Sequence, residues 1–401
     1  MATLCAAHDG DFAWNDPHNL KASYYAGDDV VKVARSAFDL YMSDNAVYGG
    51  SLYPSLPRLE SEVIEMVMEM LNAPAEAAGM VTTGGTESIM LAVKTARDWA
   101  RAEKPGIARA NIIVPDSAHP AFVKAAHLLE MDVVRVAESA KHCADANAIR
   151  DQVDRNTIMV VGSAPPYPLG IVDPISDIAA VALEHDLWMH VDACIGGFML
   201  PFAEDLGEVV PKFDFRIAGV TSMSADLHKY GYANRGSSTM IVRDKSLQTH
   251  QRFSNGDWPG GTYSTLGFAG SRASGPVASA WAVMRYLGFD GYRERVRGII
   301  EAKRKFTEEI ERSGELSVIG TPQGGNISVT CESVDMFAFA DGMEQKGWRL
   351  GRLQRPAGLI LLLNYRHGEV AKEFGADLSQ VIDDVRAGRV TRSTGDAVYV
   401  T

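Results

Sequence analysis

The sequence has 401 residues, of which 46% are hydrophobic and 22% are charged, and its formal net charge is −12. This length exceeds what one simple core needs and favours a large domain with a smaller one. The negative charge argues against nucleic acid and an anionic membrane surface as partners. Apolar runs stay well below the ~18 residues that cross a bilayer, so no transmembrane segment is predicted.

The N-terminus and the cysteines bear on location. No basic segment followed by an apolar one begins the chain, so no secretory signal is predicted. The four cysteines show no C-x-x-C spacing, which indicates neither a metal site nor a disulfide framework. A reducing cytoplasm is therefore the expected setting.

The first elements are an irregular segment and two helices. Residues 1–55 are rich in turn formers and are predicted to form an N-terminal arm. Apolar residues at helical spacing predict a helix from Glu60 to Leu71, and a second helix is expected to begin near Thr86. Runs of β-forming residues then predict strands at Ile112–Val114, Val133–Val136, Ile158–Val161, Leu187–Val191 and Thr239–Val242.

Strands that alternate with helix-length segments predict an α/β fold with a mostly parallel sheet flanked by helices. This pattern spans residues 56–290, which are predicted to form the large domain. From about Gly291 the sequence changes to charged helices and a few strands. Residues 291–401 are therefore predicted to form a smaller C-terminal α+β domain.

The motif Gly84-Gly85-Thr86 stands between an apolar stretch and the second helix. Glycines allow a ligand close to the backbone, and a helix start offers unpaired N–H groups to a phosphate. The alternative is a simple glycine turn in which Thr86 caps the helix.

The motif His190-Val191-Asp192-Ala193 ends a strand that the sequence predicts to be buried. Ligands of open α/β sheets bind at the carboxyl ends of strands. A carboxylate there would keep a pyridinium nitrogen protonated, so that the ring acts as an electron sink. The alternative is that Asp192 only caps a helix or turn.

Lys229 follows His228 within Ser224–Gly231, after an apolar strand and before small turn residues. Such a lysine suits an amine that forms a Schiff base, held where its pKa is lowered because only the neutral amine attacks an aldehyde. A lone lysine is more often a surface residue. The order of a phosphate loop, a strand-end aspartate and a His-Lys pair nevertheless favours a site for pyridoxal 5′-phosphate (PLP).

At this point the sequence resembles the group II PLP-dependent decarboxylases of fold type I, and among them the sphingosine-1-phosphate lyases. The resemblance extends from Ser23–Gly27 to Gly395–Tyr399. Its most specific stretches are Thr83–Ile89, Gly162–Gly170, His190–Phe198, Asp226–Ala233 and Gly270–Arg272, and the lyase character comes mainly from Gly162–Gly170, Phe213–Arg216, Gly219–Ser222 and His228–Ala233.

The resemblance implies which residues bind PLP. The cofactor phosphate would be bound by Gly85, Thr86, Ser163 and His228. His119 matches a histidine that stacks on the pyridine ring, Asp192 would pair with the ring nitrogen, and Lys229 would hold the cofactor as a Schiff base. The resemblance implies no metal.

The resemblance also implies a homodimer with shared active sites. Trp258–Tyr263, which includes Gly261, matches the segment that reaches the partner subunit's cofactor. Tyr25 matches a tyrosine that lyases place at the site, where its phenol could move protons. The alternative is that Tyr25 only packs the arm against the domain.

The implied reaction is cleavage of a carbon–carbon bond in a phosphorylated sphingoid base, giving a fatty aldehyde and phosphoethanolamine. The rival prediction is decarboxylation of an L-amino acid with the same cofactor. A protein of this fold that has lost activity is the non-enzymatic alternative, which the joint presence of Lys229, Asp192, His119 and Thr86 disfavours.

The sequence departs from the lyase pattern at substrate-binding positions. Asn45–Gly50 occupies the stretch where lyases carry Asn-Pro-Leu-His-Pro, and Leu359–Leu361 replaces a strand that contains histidine. Arg235 replaces a lysine and keeps a positive charge that can bind phosphate or carboxylate. A related amino alcohol or a β-hydroxy amino acid is therefore an alternative substrate.

Overall fold

The computed structural model describes residues 1–48 and 50–392. They divide into two compact units. The large unit is Gly27–Glu294, and the small unit joins Met1–Ala26 to the chain from Arg295 onward. The three-part division at residues 55 and 290 stays a prediction. The final block of the resemblance, Gly395–Tyr399, lies outside the described residues.

The secondary structure alternates helices and strands through the large unit. The helices are α1 (Ala2–His8), α2 (Asp28–Leu40), α3 (Ser55–Met70), α4 (Gly85–Glu103), α5 (Ala121–Leu128), α6 (Ala146–Asp151), α7 (Ile175–Glu184), α8 (Leu200–Asp205), α9 (Gln248–Gln251), α10 (Gly275–Arg312), α11 (Met336–Gln345) and α12 (Ala371–Arg386). The strands are β1 (Ala78–Thr82), β2 (Asn111–Pro115), β3 (Asp132–Val136), β4 (Thr157–Ser163), β5 (Trp188–Asp192), β6 (Ser222–Ala225), β7 (Ser238–Val242), β8 (Phe253–Asn255), β9 (Tyr263–Thr265), β10 (Ser317–Val318), β11 (Asn326–Thr330), β12 (Gly351–Leu353) and β13 (Gly358–Leu362).

The large unit contains a seven-stranded sheet in the order β1-β7-β6-β5-β4-β2-β3. Strands β6, β5, β4, β2 and β3 are parallel neighbours, whereas β7 pairs antiparallel with both β1 and β6. Strands β2, β4 and β5 are buried along their whole length, as expected where helices cover both faces of a sheet. The mostly parallel α/β sheet is confirmed, and all five predicted strands are present.

Helix α2 corrects the prediction that the first 55 residues are irregular. It begins after Gly27, whose φ of 121° is left-handed, and carries Asp28 and Asp29 in its first turn. Acidic residues there interact favourably with the helix dipole, and Val30 and Ala34 are buried. The residues interpreted as turn formers are therefore a helix start signal.

Arg272 links β1 to α3 within the large unit. Its guanidinium donates to both carboxylate oxygens of Glu60 at 2.9 Å and to the Val81 carbonyl at 2.8 Å. Glu60 Oε1 also accepts from the Val81 N–H at 3.1 Å. A paired arginine with this geometry fixes two elements together, here just before the glycine loop.

The small unit contains a four-stranded antiparallel sheet in the order β10-β11-β13-β12. Helices α11 and α12 pack on each other, and α11 packs on β13. This arrangement confirms the predicted smaller α+β part. Leu359, Ile360 and Leu361 are buried core residues of β13, which accounts for the apolar replacement of the lyase histidine strand.

Candidate active site

Three polar residues lie side by side at the carboxyl edge of the large sheet. The strand register pairs Ser163 at the end of β4 with Asp192 at the end of β5, and Asp192 with Ser224 on β6. All three side chains are buried. The edge that sequence reasoning predicted to bind a ligand therefore carries a cluster of polar groups on adjacent strands.

Lys229 lies on the loop that follows β6 and forms an ion pair. Its Nζ is 2.9 Å from Oδ2 of Asp226, and Nε2 of His228 is 3.7 Å from the same oxygen. Asp226 is only 2% exposed. The lysine amine and the histidine ring are thus gathered around one buried carboxylate.

The electrostatics of this trio follow from burial and mutual charge. Burial acts to raise the pKa of Asp226, but the positive charge of Lys229 and hydrogen bonds from Lys229 and Ser238 outweigh it and lower that pKa. Burial also lowers the pKa of His228. The negative charge of Asp226 acts to raise that pKa, whereas the positive charges of Lys229 and Arg235 lower it further. His228 Nδ1 accepts a hydrogen bond from the Ser237 N–H at 3.2 Å. Asp226 is therefore ionised and His228 neutral at pH 7.

The glycine loop lies against this trio. Gly84 has a φ of 151°, and a Cβ there would lie 3.5 Å from Cε1 of His228. A Cβ on Gly85 would lie 2.9 Å from Asp226 Oδ1 and 3.0 Å from Cys194 Sγ. Helix α4 begins at Gly85 with Gly84 at the N-cap and without a side-chain cap. Only a residue without a side chain leaves this space open.

Thr86 is not the helix cap, because it lies one residue inside α4 and is exposed. Glu87 instead accepts hydrogen bonds from the backbone N–H and the hydroxyl of Thr83, both at 2.7 Å. Helix α4 thus begins at the glycine loop without a side-chain cap, and the dipole of a helix favours an anion at its N-terminus.

Asp192 is held by two donors. Its Oδ1 accepts from the Cys194 N–H at 3.1 Å and from the Ser224 hydroxyl at 3.4 Å. His119, on the loop between β2 and α5, accepts from the Ala121 N–H at 3.1 Å through Nδ1. Burial lowers the pKa of His119, and the charges of Asp192, Lys229 and Asp226 all act on that pKa. His119 is therefore a neutral ring within the field of the cluster.

Ser163 has a buried hydroxyl for which the described chain supplies no hydrogen-bond partner. Its backbone N–H donates to Asp173 at 2.7 Å, and the Ala144 N–H donates to the other oxygen at 2.8 Å. Burial raises the pKa of Asp173 to about 7. The Ser163 hydroxyl is therefore available to hydrogen-bond a ligand atom.

The cluster fits PLP. The Gly84–Gly85 loop, the α4 N-terminus and the unpartnered Ser163 hydroxyl suit a phosphate. Asp192 is a buried carboxylate of the kind that suits a pyridine nitrogen, and Lys229 carries an amine of the kind that suits a Schiff base. The structure thus brings together seven of the predicted residues, namely Gly85, His119, Ser163, Asp192, His228, Lys229 and, at the α4 start, Thr86.

Three predicted residues lie apart from these contacts. Tyr25 belongs to the small unit, where it is buried and its ring stacks on Tyr365 at 6.1 Å and meets the edge of Trp14 at 5.7 Å. Arg235 is exposed, and its charge acts on His228. A Cβ on Gly261 would meet no atom within 4 Å, so this glycine lies open on the surface of the described chain.

Sequence reasoning gave no role to Asp226 or Asp173. Asp226 stands three residues before Lys229, and only the turn after β6 brings the two side chains together. Asp173 has no local signal, because its partners at positions 144 and 163 are distant in sequence.

Comparisons with known proteins define the class. The pyridoxal-dependent decarboxylase conserved domain matches residues 12–331, and the chain therefore belongs to the pyridoxal-dependent decarboxylase family. Its cofactor is pyridoxal phosphate. Residues 1–48 and 50–392 contain no group of three His, Cys, Asp or Glu residues arranged to hold a metal ion. Over the same residues, no helix is both long and apolar enough to cross a membrane.

Within that family, the chain is similar to sphingosine-1-phosphate lyases. It is 41% identical to the lyase of Arabidopsis thaliana over 84% of this chain and 62% of that protein. It is 39% identical to the lyase of Oryza sativa over 90% of this chain and 68% of that protein. The solved Burkholderia pseudomallei lyase superposes with a TM-score of 0.91 at 38% identity, covering 97% of this chain and 90% of the other. The chain thus spans less than two thirds of the Arabidopsis relative.

Proposed function

We propose that the protein is a PLP-dependent carbon–carbon lyase that cleaves a phosphorylated sphingoid base of the sphingosine 1-phosphate type. The products would be a fatty aldehyde and phosphoethanolamine, which assigns the enzyme to sphingolipid metabolism. The observation that carries the proposal is the Lys229–Asp226 pair beside the Gly84–Gly85 loop and the strand-end Asp192. The similarity to curated lyases over most of the chain supports the choice of bond.

Each residue has a role in binding the cofactor. Gly85, Thr86, Ser163 and His228 would hold its phosphate. Asp192 would hold the ring nitrogen protonated, and neutral His119 would stack on the ring. Lys229 would bind the cofactor carbonyl carbon, and Asp226 would fix the position of the lysine amine.

When bound, PLP supplies an electron sink for the negative charge left on the substrate carbon. The protein determines which bond breaks by orienting the substrate, and it moves protons during cleavage. One proton leaves the β-hydroxyl, and another is delivered to the carbon that becomes part of phosphoethanolamine. Lys229 is proposed to carry one of these protons, since its amine is within the cluster, and Tyr25 the other.

Tyr25 is a candidate proton carrier in the small unit. The guanidinium of Arg366 lies over its ring at 5.7 Å. A hydrogen bond to Glu369 and a further one to Tyr25 raise the pKa of Arg366, so this cation is permanent. Arg235 is proposed to bind the substrate phosphate, in place of the histidines that the lyase pattern supplies.

We also propose a homodimer with shared active sites. Leu40, Met42 and Leu52 are 77%, 62% and 65% exposed, and Trp258 and Phe268 are 56% and 48% exposed. A hydrogen bond of 2.9 Å from Asn45 to Ser271 ties these two segments together. An apolar surface of this kind marks an interface, and a second copy is its proposed partner. Sedimentation of the PLP-loaded protein at twice the chain mass would support it, and a monomer would overturn it.

The cytoplasm is the proposed location. Each of the four cysteines, Cys5, Cys143, Cys194 and Cys331, is a free thiol. Free thiols are typical of proteins that work in a reducing compartment. Fractionation of native cells would test it, and recovery from an oxidising compartment would contradict it.

The reaction is tested by mass spectrometry of products. PLP-loaded protein is incubated with sphingosine 1-phosphate and, separately, with a panel of amino acids, and Lys229→Ala serves as the control. A fatty aldehyde together with phosphoethanolamine, absent with Lys229→Ala, supports the lyase. Carbon dioxide and an amine from an amino acid, without any aldehyde, would overturn the lyase and favour the decarboxylase.

A further inference from the structure

His190 is a buried histidine to which the proposed chemistry gives no role. Along β5 the side chains of Trp188, His190 and Asp192 point to the same face, because alternate residues of a strand share a face. On β6 the register places Ser222 opposite His190 and Ser224 opposite Asp192. Side chains of β5 and β6 therefore lie next to each other on one face of the sheet: a tryptophan, a histidine, two serines and an aspartate.

These side chains form an unbroken series of hydrogen bonds. Trp188 Nε1 donates to Ser222 Oγ at 2.8 Å, and Ser222 Oγ lies 2.8 Å from His190 Nδ1. His190 Nε2 lies 3.2 Å from Ser224 Oγ, which donates to Asp192 Oδ1 at 3.4 Å. The Trp188, His190, Ser222 and Ser224 side chains are 0–1% exposed. Water therefore does not compete for these bonds.

The indole sets the direction of the series. An indole nitrogen only donates, so Ser222 Oγ accepts from Trp188. A hydroxyl has one proton to donate, and His190 Nδ1 is the acceptor within reach of the described chain. Nδ1 is then unprotonated, and the remaining proton of the neutral ring lies on Nε2. Nε2–H donates to Ser224, whose own proton goes to Asp192.

The surroundings keep the ring neutral. Burial lowers the pKa of His190 to about 4, and Asp192 is the charge that opposes this effect. Phe122 meets the ring edge-on at a centroid distance of 5.9 Å. An uncharged ring with one fixed donor and one fixed acceptor is the form that the series requires.

We infer that His190 is a positioning residue, which as the Nε2–H tautomer completes a one-way series of donors from Trp188 to Asp192 Oδ1. The donated proton of Ser224, together with the Cys194 N–H at 3.1 Å, stabilises Asp192 in its ionised form. Hydrogen bonds to an ionised carboxylate favour the charged state. This inference rests on the proposed role of Asp192 as partner of the PLP ring nitrogen.

The test measures the protonation state of the PLP ring nitrogen. Protein is loaded with PLP labelled with ¹⁵N in the pyridine ring, and the ¹⁵N resonance reports whether that nitrogen carries a proton. The wild type should show a protonated nitrogen. In Ser224→Ala and His190→Leu the resonance should move toward the unprotonated position. PLP should also leave about 10- to 100-fold faster, the range for losing a hydrogen bond to a charged group.

Two further variants separate positioning from packing. His190→Gln restores an N–H donor and should recover part of the ¹⁵N shift. Ser222→Ala removes one hydroxyl oxygen of the series far from the cofactor. It replaces His190→Leu as the test of the series if His190→Leu does not fold. Thr95→Val is the control, because Thr95 is also buried and its hydroxyl bonds only within α4, to the Leu91 carbonyl at 2.6 Å.

Ring-nitrogen resonances that match wild type in Ser224→Ala and Ser222→Ala would overturn the inference. Equal shifts in Thr95→Val would also overturn it, because they would indicate a general loss of packing. The lyase proposal fails separately, through the absence of aldehyde from wild-type protein whose ring nitrogen is still protonated. That result would leave the role of His190 standing.

Discussion

At the scale of single residues, Asp226 organises the two groups beside the glycine loop. It is buried, and it contacts both Lys229 at 2.9 Å and His228 at 3.7 Å. Replacing it by asparagine removes the charge and leaves the shape. The lysine amine then loses the partner that fixes its position.

We expect Asp226→Asn to weaken PLP binding about 10- to 100-fold, since a hydrogen bond to a charged group is lost. Titration of the apoprotein with PLP, followed by absorbance, measures the change. Asp177→Asn, an exposed aspartate at the start of α7, should match wild type. Unchanged PLP affinity in Asp226→Asn would contradict the role of this carboxylate.

The sequence pointed to the proposed cofactor-binding residues more readily than to the residues that contact them. Lys229, Asp192 and His119 belong to motifs whose spacing or resemblance carries information. Asp226 and Asp173 act through the fold, because a turn or a strand pairing brings distant positions into contact. For Thr86 the structure excludes the alternative of a helix cap, since Gly84 occupies the N-cap position of α4.

At the scale of elements, the junction between β1 and α4 depends on space at Gly85. A Cβ there would lie 2.9 Å from Asp226 Oδ1 and 3.0 Å from Cys194 Sγ. These atoms are buried and cannot move away without disturbing the Lys229 pair. Gly85 is also the first residue of α4, where alanine has a better helix propensity.

Gly85→Ala should therefore lose PLP affinity by more than tenfold while the thermal midpoint of the apoprotein changes little. Equilibrium dialysis with PLP and thermal unfolding measure the two quantities. Gly10→Ala is the matched control, because a Cβ at Gly10 meets no atom within 4 Å. Full PLP affinity in Gly85→Ala would contradict this prediction, because it would show that the loop has room for a Cβ.

Strands were easier to predict than the helix at the start of the chain. Strands β2, β4 and β5 are apolar and fully buried, so their hydrophobic sequence alone indicates that they lie in the core. Helix α2 was missed because Gly27, Asp28 and Asp29 also occur in turns. Burial of Val30 and Ala34 decides between the two, and burial depends on packing that local sequence does not specify.

At the scale of the whole molecule, a histidine in the small unit makes stability depend on pH. His367 is fully buried: its Nδ1 accepts a hydrogen bond from the Asn364 backbone N–H at 3.0 Å, and its Nε2 lies 3.0 Å from the Asn364 side-chain nitrogen. Burial lowers its pKa from 6.5 to about 3, with the charge of Arg366 acting in the same direction. Between these two values the unfolded chain binds a proton that the folded chain does not.

The free energy of unfolding should therefore fall as the pH decreases from 6.5 towards 3. Between pH 6.5 and 5 the wild type should lose about 2 kcal/mol more than His367→Gln. Urea unfolding at the two pH values measures the difference, and His127→Gln, an exposed histidine of α5, should behave as wild type. Equal losses in wild type and His367→Gln would contradict the assigned pKa.

The division of the chain was harder to foresee at this scale. The composition of the sequence changes near residue 291, and the boundary between the compact units falls between residues 294 and 295. The first 26 residues, however, belong to the same unit as the C-terminal part. Such an association depends on long-range contacts, such as Asn364 to Ser23 at 3.1 Å, which no local pattern predicts.

The central claim is that Lys229 is the residue that binds PLP. Reduction of the PLP-loaded protein with borohydride fixes the cofactor to its lysine, and peptide mass mapping then identifies that lysine. The account predicts a pyridoxyl group on the peptide that contains Lys229 and none in Lys229→Ala. A pyridoxyl group on a different lysine of the wild type, or full labelling of Lys229→Ala, would contradict it.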